Sequence, residues 1–501
     1  MKKLFFNALV LSIFFTSISS CKKPLEPEIF SQLTSANFPK TEKDANAILT
    51  GFYSNFSHDW NSLYCAITTG QAVNAGAQTG SWRYMSSIVT DETNDMWNAD
   101  GMGNKFDWGS NSYWGLTKLA PVVARTTSFI ENLKSSSLPD ALKKSATAET
   151  KCLRAWMMFL MYDFYGPINV RLDPVKLADT IYTPRPSKQQ YLDWMVKDLT
   201  EAMPDLMTRT NGTSSWGKVN KGLASMLLMK IYMNDKQWAK AKPLAESIMN
   251  MGYVLLPSYK QVFTQEGNNE VVWASPSGIN VPSRHMPCST PWDIGEMLGQ
   301  KVDQGWGGQF IPWSFMARFQ PQDTRLETIA QEYMTYKFPW DPNGSPKLAK
   351  RGTSYEGELS KGAIAFKNVL PREKTSLGNF STVAFRYSDV LLSLAEIENE
   401  LNGPTPAAIA FAKQVTDRAA HVLNLPVIGA SKDSFRAFLS NERGRELYWE
   451  GWRRQDMIRM GTWIPWGISM GYPASVKHIL FPIRQSIINE SRGVITQNIG
   501  Y

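Results

Sequence analysis

The stretch NKGLASMLLMKIYMNDKQWAKAKPLAESIMNMGY, residues 220–253, constrains the fold more than any other part of the chain. Leu223, Leu227, Leu228 and Ile231 recur at the spacing that gathers them on one helical face. Asn234-Asp235 breaks that run, and Ala241, Ala245 and Ile248 form a second apolar stripe that faces back toward the first. A helix with one apolar stripe must bury it against another element, so two in succession predict a helix pair inside a larger helical body.

Tyr232, Trp238 and Ala241 stand where a tetratricopeptide unit places two aromatics and a small residue, the small one allowing close helix approach. A second pair reads SDVLLSLAEIENELNGPTPAAIAFAKQVTDRAA, turning at Gly403-Pro404. Thr41 caps a helix carrying Ala45, Ile48, Leu49 and Phe52 on one face. Further helices are predicted over 116–134, over 146–165 with a stop at Gly166-Pro167, and from Ser187 onward. The two clear pairs lie about 165 residues apart, which excludes a tandem solenoid in the sequence. The expectation is a mainly α fold: a tetratricopeptide-like helix-pair scaffold with long irregular loop insertions.

From about residue 264 to 380 the helical period fades, and nine of the 28 prolines fall between Pro276 and Pro346. The aromatics Trp292, Trp306, Trp313, Tyr333, Tyr336 and Trp340 in that stretch argue against disorder. Residues 68–114 behave alike, mixing Gly, Asn and Asp with Trp82, Trp97, Trp108 and Trp114.

The first twenty residues have the parts of an export signal: Lys2 and Lys3, an apolar run from Leu4 to Phe15 interrupted by Asn7 and Ser12, and a small-residue tail. That run is too short for a membrane-spanning helix, which needs about 20 apolar residues. Ile18-Ser19-Ser20-Cys21 resembles the lipobox of bacterial lipoproteins, so cleavage before Cys21 and acylation of its sulfur and new amino terminus are expected. Two lipid signals suffice for stable anchoring, and this would be a three-chain anchor. Residues 21–40 then form the lipid anchor and an extended tether beginning Pro24-Leu25-Glu26-Pro27.

The formal charge of +8 is dispersed, with no basic run beyond two residues in the mature chain, which gives nucleic-acid binding little support. Cys65, Cys152 and Cys288 are an odd set without CxxC or metal spacing. They read as independent, mostly buried thiols, with a Cys65–Cys288 bridge as the alternative. Four histidines include no HExxH, and no metal or cofactor ligand set is apparent. GISMG at 467–471 matches GxSxG around Ser469, but flanking prolines remove the strand-turn-helix elbow, and no Asp or Glu lies between Ser469 and His478. Paired carboxylates such as Asp91 and Asp95 leave a glycoside-degrading enzyme as a minor alternative.

Several strings together resemble the SusD/RagB family of Bacteroidetes outer-membrane nutrient-binding lipoproteins. They are RYSDVLLSLAEIENE, RAFLSNERGRELYWEGWRRQDMIRMGTW and ILFPIRQSIINESRGVITQNIGY near the C-terminus, and ETKCLRAWMMFLMYDFYGPINV and YLDWMVKDLTEAMPDL nearer the N-terminus. One departure is Lys22-Lys23, where family members often have acidic residues after the lipid cysteine. The resemblance divides the chain into a signal over 1–20, an N-terminal helical region over 41–260 and a C-terminal region over 261–501. It implies a surface-facing, lipid-anchored protein at the outer membrane that is not an enzyme. The implied role is capture of oligosaccharides, or alternatively peptides, over the mouth of a SusC-like TonB-dependent barrel. Glu442, Arg443, Glu446, Glu450 and Arg453 read as an i, i+3 and i+4 charge lattice with a structural role.

A pyranose has an apolar C–H face that lies on an aromatic ring and a rim of hydroxyls needing directional partners. Trp82, Asp91, Asp95, Trp97, Asn98, Asp100 and Asn104 supply both kinds in one segment, and Trp306, Gln309 and Trp313 are the candidates for an opposing wall. Trp108, Trp114 and Trp273 read as core packing.

Overall fold

Helix starts and stops follow local chemistry. A computed structural model describes residues 39–56, 70–71, 78–79, 82–95, 118–276, 290–302, 305, 307–336, 345–367, 381–420 and 431–501. Helix α1 (Glu42–Tyr53) opens with a capping box: the Thr41 hydroxyl accepts from the Asp44 N–H at 3.2 Å, and the Asp44 carboxylate accepts from the Thr41 N–H at 2.9 Å. After α2 (Trp82–Ile88) come α3 (Leu119–Ser135) and the long α4 (Asp140–Tyr165). Helix α4 starts six residues before its predicted position and ends where Gly166 takes a positive φ of 69°. Ser187 caps α5 (Lys188–Ala202) and Asn220 caps α6 (Lys221–Asn234), which turns into α7 (Trp238–Met249).

Each of α3 to α7 packs on the next. The chain then leaves through α8 (Tyr259–Thr264) and α9 (Trp313–Met316), and returns as α10 (Tyr387–Asn402) and α11 (Pro406–Arg418). Helix α10 packs against α7, so the two helix pairs that are remote in sequence are neighbours in space. The scaffold is a stack of helix pairs with the intervening segment looped out. Helices α12 (Lys432–Leu447), α13 (Arg453–Arg459), α14 (Trp463–Ser469) and α15 (Gln485–Glu490) complete the C-terminal part.

The looped-out segment contains more regular structure than its sequence predicts. The strands, in chain order, are β1 (Gly70–Gln71), β2 (Gln78–Thr79), β3 (Asn94–Asp95), β4 (Val271–Ser275), β5 (Ile294–Met297) and β6 (Gln300–Lys301). They continue with β7 (Gln309–Phe310), β8 (Ile329–Ala330), β9 (Glu332–Thr335), β10 (Leu348–Lys350), β11 (Ile364–Ala365) and β12 (Thr382–Arg386). One sheet has the order β10-β9-β5-β6, all antiparallel. Strands β4 and β12 pair antiparallel and are buried throughout, so entry and exit of the insertion are zipped together. Continuous burial removes the alternation that marks a half-buried strand.

The largest core centres on Trp156 of α4, stacked on Phe56 at 4.1 Å and edge-on to Trp273 at 4.7 Å. Truncating such a residue costs about 3–5 kcal/mol. Cys152 beside it is buried, and burial pushes its thiol well above the usual range. Cys21, Cys65 and Cys288 lie outside the described residues. Among the described residues no helix is long and apolar enough to cross a membrane, and no cluster of His, Cys, Asp and Glu is arranged to hold a metal ion.

Two local motifs take their form from the fold. The expected charge lattice does lock elements together, but its members do not lie on one helix, because α12 ends at Leu447 and the chain turns through Trp449 (φ 59°) and Gly451 (φ 89°) before α13. Its members are buried and pair mainly with other elements. Glu446 binds Arg325, Arg386 and Arg418, while Glu450 holds Arg386 at 2.9 Å and Lys367 at 2.8 Å. Arg443 bridges Asp389 at 2.7 Å and Asp456 at 2.8 Å. Ser469 ends helix α14 and donates to the Trp466 carbonyl at 2.7 Å, consistent with a GxSxG match arising by chance.

Candidate functional site

The two tryptophan-bearing segments meet at strands β3 and β7. Asn94 pairs with Phe310 and Asp95 with Gln309 in an antiparallel ladder, and the Gln309 amide donates to the Asp95 carboxylate at 3.2 Å. The next step along the second segment, Ile311, bridges Ala363. Asn94 donates to the Lys361 carbonyl at 3.1 Å, which adds residues 357–361 to the same edge.

Glu358 organises that edge. It accepts from the Trp292 indole N–H at 3.1 Å and pairs with Lys361 at 3.0 Å. Gly307 lies against it: a Cβ there would stand 3.5 Å from a Glu358 oxygen and 4.0 Å from Trp292. The N–H groups of Gly305 and Gly307 donate to the carbonyls of Pro291 and Thr290. The result is an edge with one 36 % exposed indole, the Glu358 carboxylate, the Lys361 ammonium and the exposed Asn94 amide close together, while the Gln309 amide is buried beneath them. Such a set both donates and accepts hydrogen bonds beside an apolar ring face, which suits a polyhydroxylated ligand.

Charge pairs deeper in the protein hold this edge in place. Asp91 accepts from Arg453 Nε at 2.7 Å and Nη2 at 2.8 Å, and from Arg318 at 2.6 Å. These cations hold the buried Asp91 carboxyl well below the usual carboxylate range, overcoming burial, which acts the other way. Arg83 donates to the Trp449 carbonyl, and the Trp449 indole donates to the Glu92 carbonyl at 3.2 Å. Gly451 is required at the turn: a Cβ would lie 2.9 Å from the Trp82 ring and 3.1 Å from Arg83 Cα. The sequence GRELYWEGWRR therefore anchors residues 82–95, and through them the register of β3 on β7.

Of the ten predicted ligand residues, Trp97, Asn98, Asp100, Asn104 and Trp306 lie outside the described residues. Asp95 and Gln309 are brought together directly. Trp313 is half-buried beside them; its indole donates to the Leu359 carbonyl at 2.8 Å and the Arg351 guanidinium covers its ring at 4.6 Å. Trp82 and Asp91 take structural roles instead. Trp82 has no exposed surface, donates to Asp163 at 2.8 Å and packs edge-on to Trp452 at 4.9 Å. Asp91 spends both oxygens on the buried Arg453 and the half-buried Arg318. Trp292, Glu358 and Lys361 were missed as site residues. Trp292 is recognisable as one of the insertion's aromatics, but Glu358 and Lys361 become relevant only through the β3–β7 pairing.

This architecture, a helix-pair stack carrying a stapled insertion that meets an N-terminal loop segment, defines a SusD-type fold. The profile of the SusD family matches residues 301–501. SusD-like protein P25 of Formosa agariphila is 24% identical over 491 residues, 91% of this chain and 90% of that protein. A SusD-like protein from Bacteroides fragilis superposes with a TM-score of 0.73 at 17% identity, over 93% of this chain and 98% of its own. Surface glycan-binding protein A from Bacteroides thetaiotaomicron, in complex with laminarihexaose, superposes with a TM-score of 0.68 at 20% identity, over 91% and 99%. These likenesses show a SusD-type fold, with the SusD family's sequence profile matching the C-terminal residues 301–501.

Proposed function

We propose that this protein is a surface glycan-binding lipoprotein that captures oligosaccharides and passes them to a SusC-like TonB-dependent outer-membrane barrel. The observation that carries the reading is the β3–β7 pairing. It joins two segments whose sequences carry Trp97 two residues past β3 and Trp306 three residues before β7. Support comes from the kinship: SusD-fold neighbours include one described as laminarin-binding and one bound to laminarihexaose. In this reading indole faces take the apolar side of a sugar ring, while Asp95, Asn98, Asp100, Asn104 and Glu358 meet its hydroxyls. Acylated Cys21 keeps the body at the outer membrane beside the barrel.

Calorimetry of the mature protein against a panel of oligosaccharides tests the reading. Saturable binding without turnover is expected, with Trp97→Ala and Trp306→Ala each lowering affinity at least tenfold, about 1.4 kcal/mol. Unchanged affinity in both variants refutes the site, hydrolysis refutes the binder, and binding of peptides alone moves the ligand to the family's other class.

A further inference from the structure

A cavity, remote in sequence from the β3–β7 edge, lies in the helical scaffold. It has a volume of about 540 Å³, within the range of small-ligand sites, and is enclosed by α3, α4, α5 and the connection between α4 and α5. No predicted ligand residue lines it.

Its wall is built in advance. The Thr127 hydroxyl donates to the Arg171 carbonyl at 2.8 Å, and the Asn169 amide donates to the Thr183 and Pro184 carbonyls at 2.7 and 3.0 Å. Arg185 ties the same connection to the carbonyls of Tyr165 and Pro167, each at 2.8 Å. An irregular segment fixed by this many hydrogen bonds loses little further freedom when a ligand arrives.

The lining sets the chemistry of that ligand. Six cationic and five acidic side chains face the cavity, and most neutralise one another. In the floor Arg154 forks onto Asp198 with two bonds of 2.7 Å; at the sides Lys151 meets Glu201 and Lys134 meets Glu131, both at 2.7 Å. A strongly charged ligand would find no matching uncompensated field here and would have to break internal pairs. A neutral ligand rich in hydroxyls breaks none, because each hydroxyl can donate to a carboxylate and accept from an ammonium or guanidinium. Ile130, Val170, Leu172, Ile181 and the half-buried Trp194 supply apolar patches for C–H faces.

We infer that this cavity is a second, independent binding site for a neutral oligosaccharide. It differs from the β3–β7 edge in being formed by helices α3 to α5 and the connection between α4 and α5, and it does not depend on that edge binding sugar. Holding a chain at two places would lengthen its residence on the protein even if each contact is weak.

Hydrogen exchange on the full mature protein tests the inference, with neutral gluco-, manno- and xylo-hexasaccharides each at about 5 mM, a concentration that detects millimolar sites. The expected result is protection of residues 168–183 by at least one of these probes. The protection should persist in the Trp97→Ala/Trp306→Ala double variant and fall at least fivefold in Trp194→Ala. Arg171→Ala/Asp179→Ala, altering two exposed residues, gives the same reading if Trp194→Ala fails to fold. Absence of protection at 168–183 with every neutral probe overturns the inference, as does protection there only by a uronic-acid oligosaccharide or a peptide. Protection confined to residues 307–313 would support the proposed capture site while overturning this one.

Discussion

Replacing Asp91 by Asn tests whether the buried charge network positions the ligand edge. Asp91 takes three short bonds from Arg453 and Arg318, and its side chain is 6 % exposed against 3 % and 25 % for those partners. Asn keeps the shape but removes the charge, leaving the buried Arg453 cation with one amide oxygen and the Ser440 carbonyl, at 2.6 Å, and no carboxylate at position 91. Breaking a buried pair from one side costs about 3–5 kcal/mol, and the retained amide oxygen favours the lower end, about 3 kcal/mol. Because Asp91 precedes β3 by only three residues, part of that loss should appear locally. Amides of 89–95 should exchange at least tenfold faster, and oligosaccharide affinity should fall although Asp91 touches no ligand. Arg453→Lys should cost less, about 1–2 kcal/mol, since an ammonium cannot fork onto both oxygens. The pH dependence has a definite sign. The folded-state pKa of Asp91 is depressed, so its contribution is full above the ordinary carboxylate value near 4 and is lost as pH falls toward the folded value. The difference between wild type and Asp91→Asn should therefore be constant from pH 5 to 8 and shrink below about pH 4. Urea denaturation at several pH values combined with hydrogen exchange measures both effects. A loss under about 0.5 kcal/mol at pH 7 with unchanged exchange over 89–95 would refute the reasoning.

Gly451→Ala should destabilise by about 2–4 kcal/mol, because it forces a Cβ into a left-handed backbone and against Trp82; a thermal shift of the full chain measures it. Burial pushes the Glu92 carboxyl up to about 7, so its folded-state cost grows as pH rises from the unfolded value near 4.5 and levels off above 7. Glu92→Gln should accordingly be more stable than wild type by up to about 3 kcal/mol at pH 8 and equal to it at pH 4. Denaturation curves showing no gain at pH 8 would contradict the burial argument.

The helical scaffold was legible because its signals are local. Thr41, Ser187 and Asn220 cap helices, and Gly166 and Gly403 end them, through bonds that span at most four residues. The insertion was not, because its strands are two to five residues long and the fully buried ones show no alternation. The site falls between these cases. Composition pointed to the segments containing Asp95 and Gln309, and their contact is real, but Trp82 sits in an equally polar stretch and is core. What buries it is Trp452 and the turn at Gly451, contacts that no local window of sequence contains. The charges of α12 were recognised as structural, whereas their partners Arg325, Arg386 and Arg418 come from other elements and emerge only in the fold.

A crystal structure of the mature protein with its tightest-binding oligosaccharide measures the central claim most directly. The account predicts sugar rings at the β3–β7 edge, stacked on an indole and bonded to members of the Asp95, Gln309 and Glu358 group. A fully occupied ligand elsewhere, with that edge bare, would contradict it.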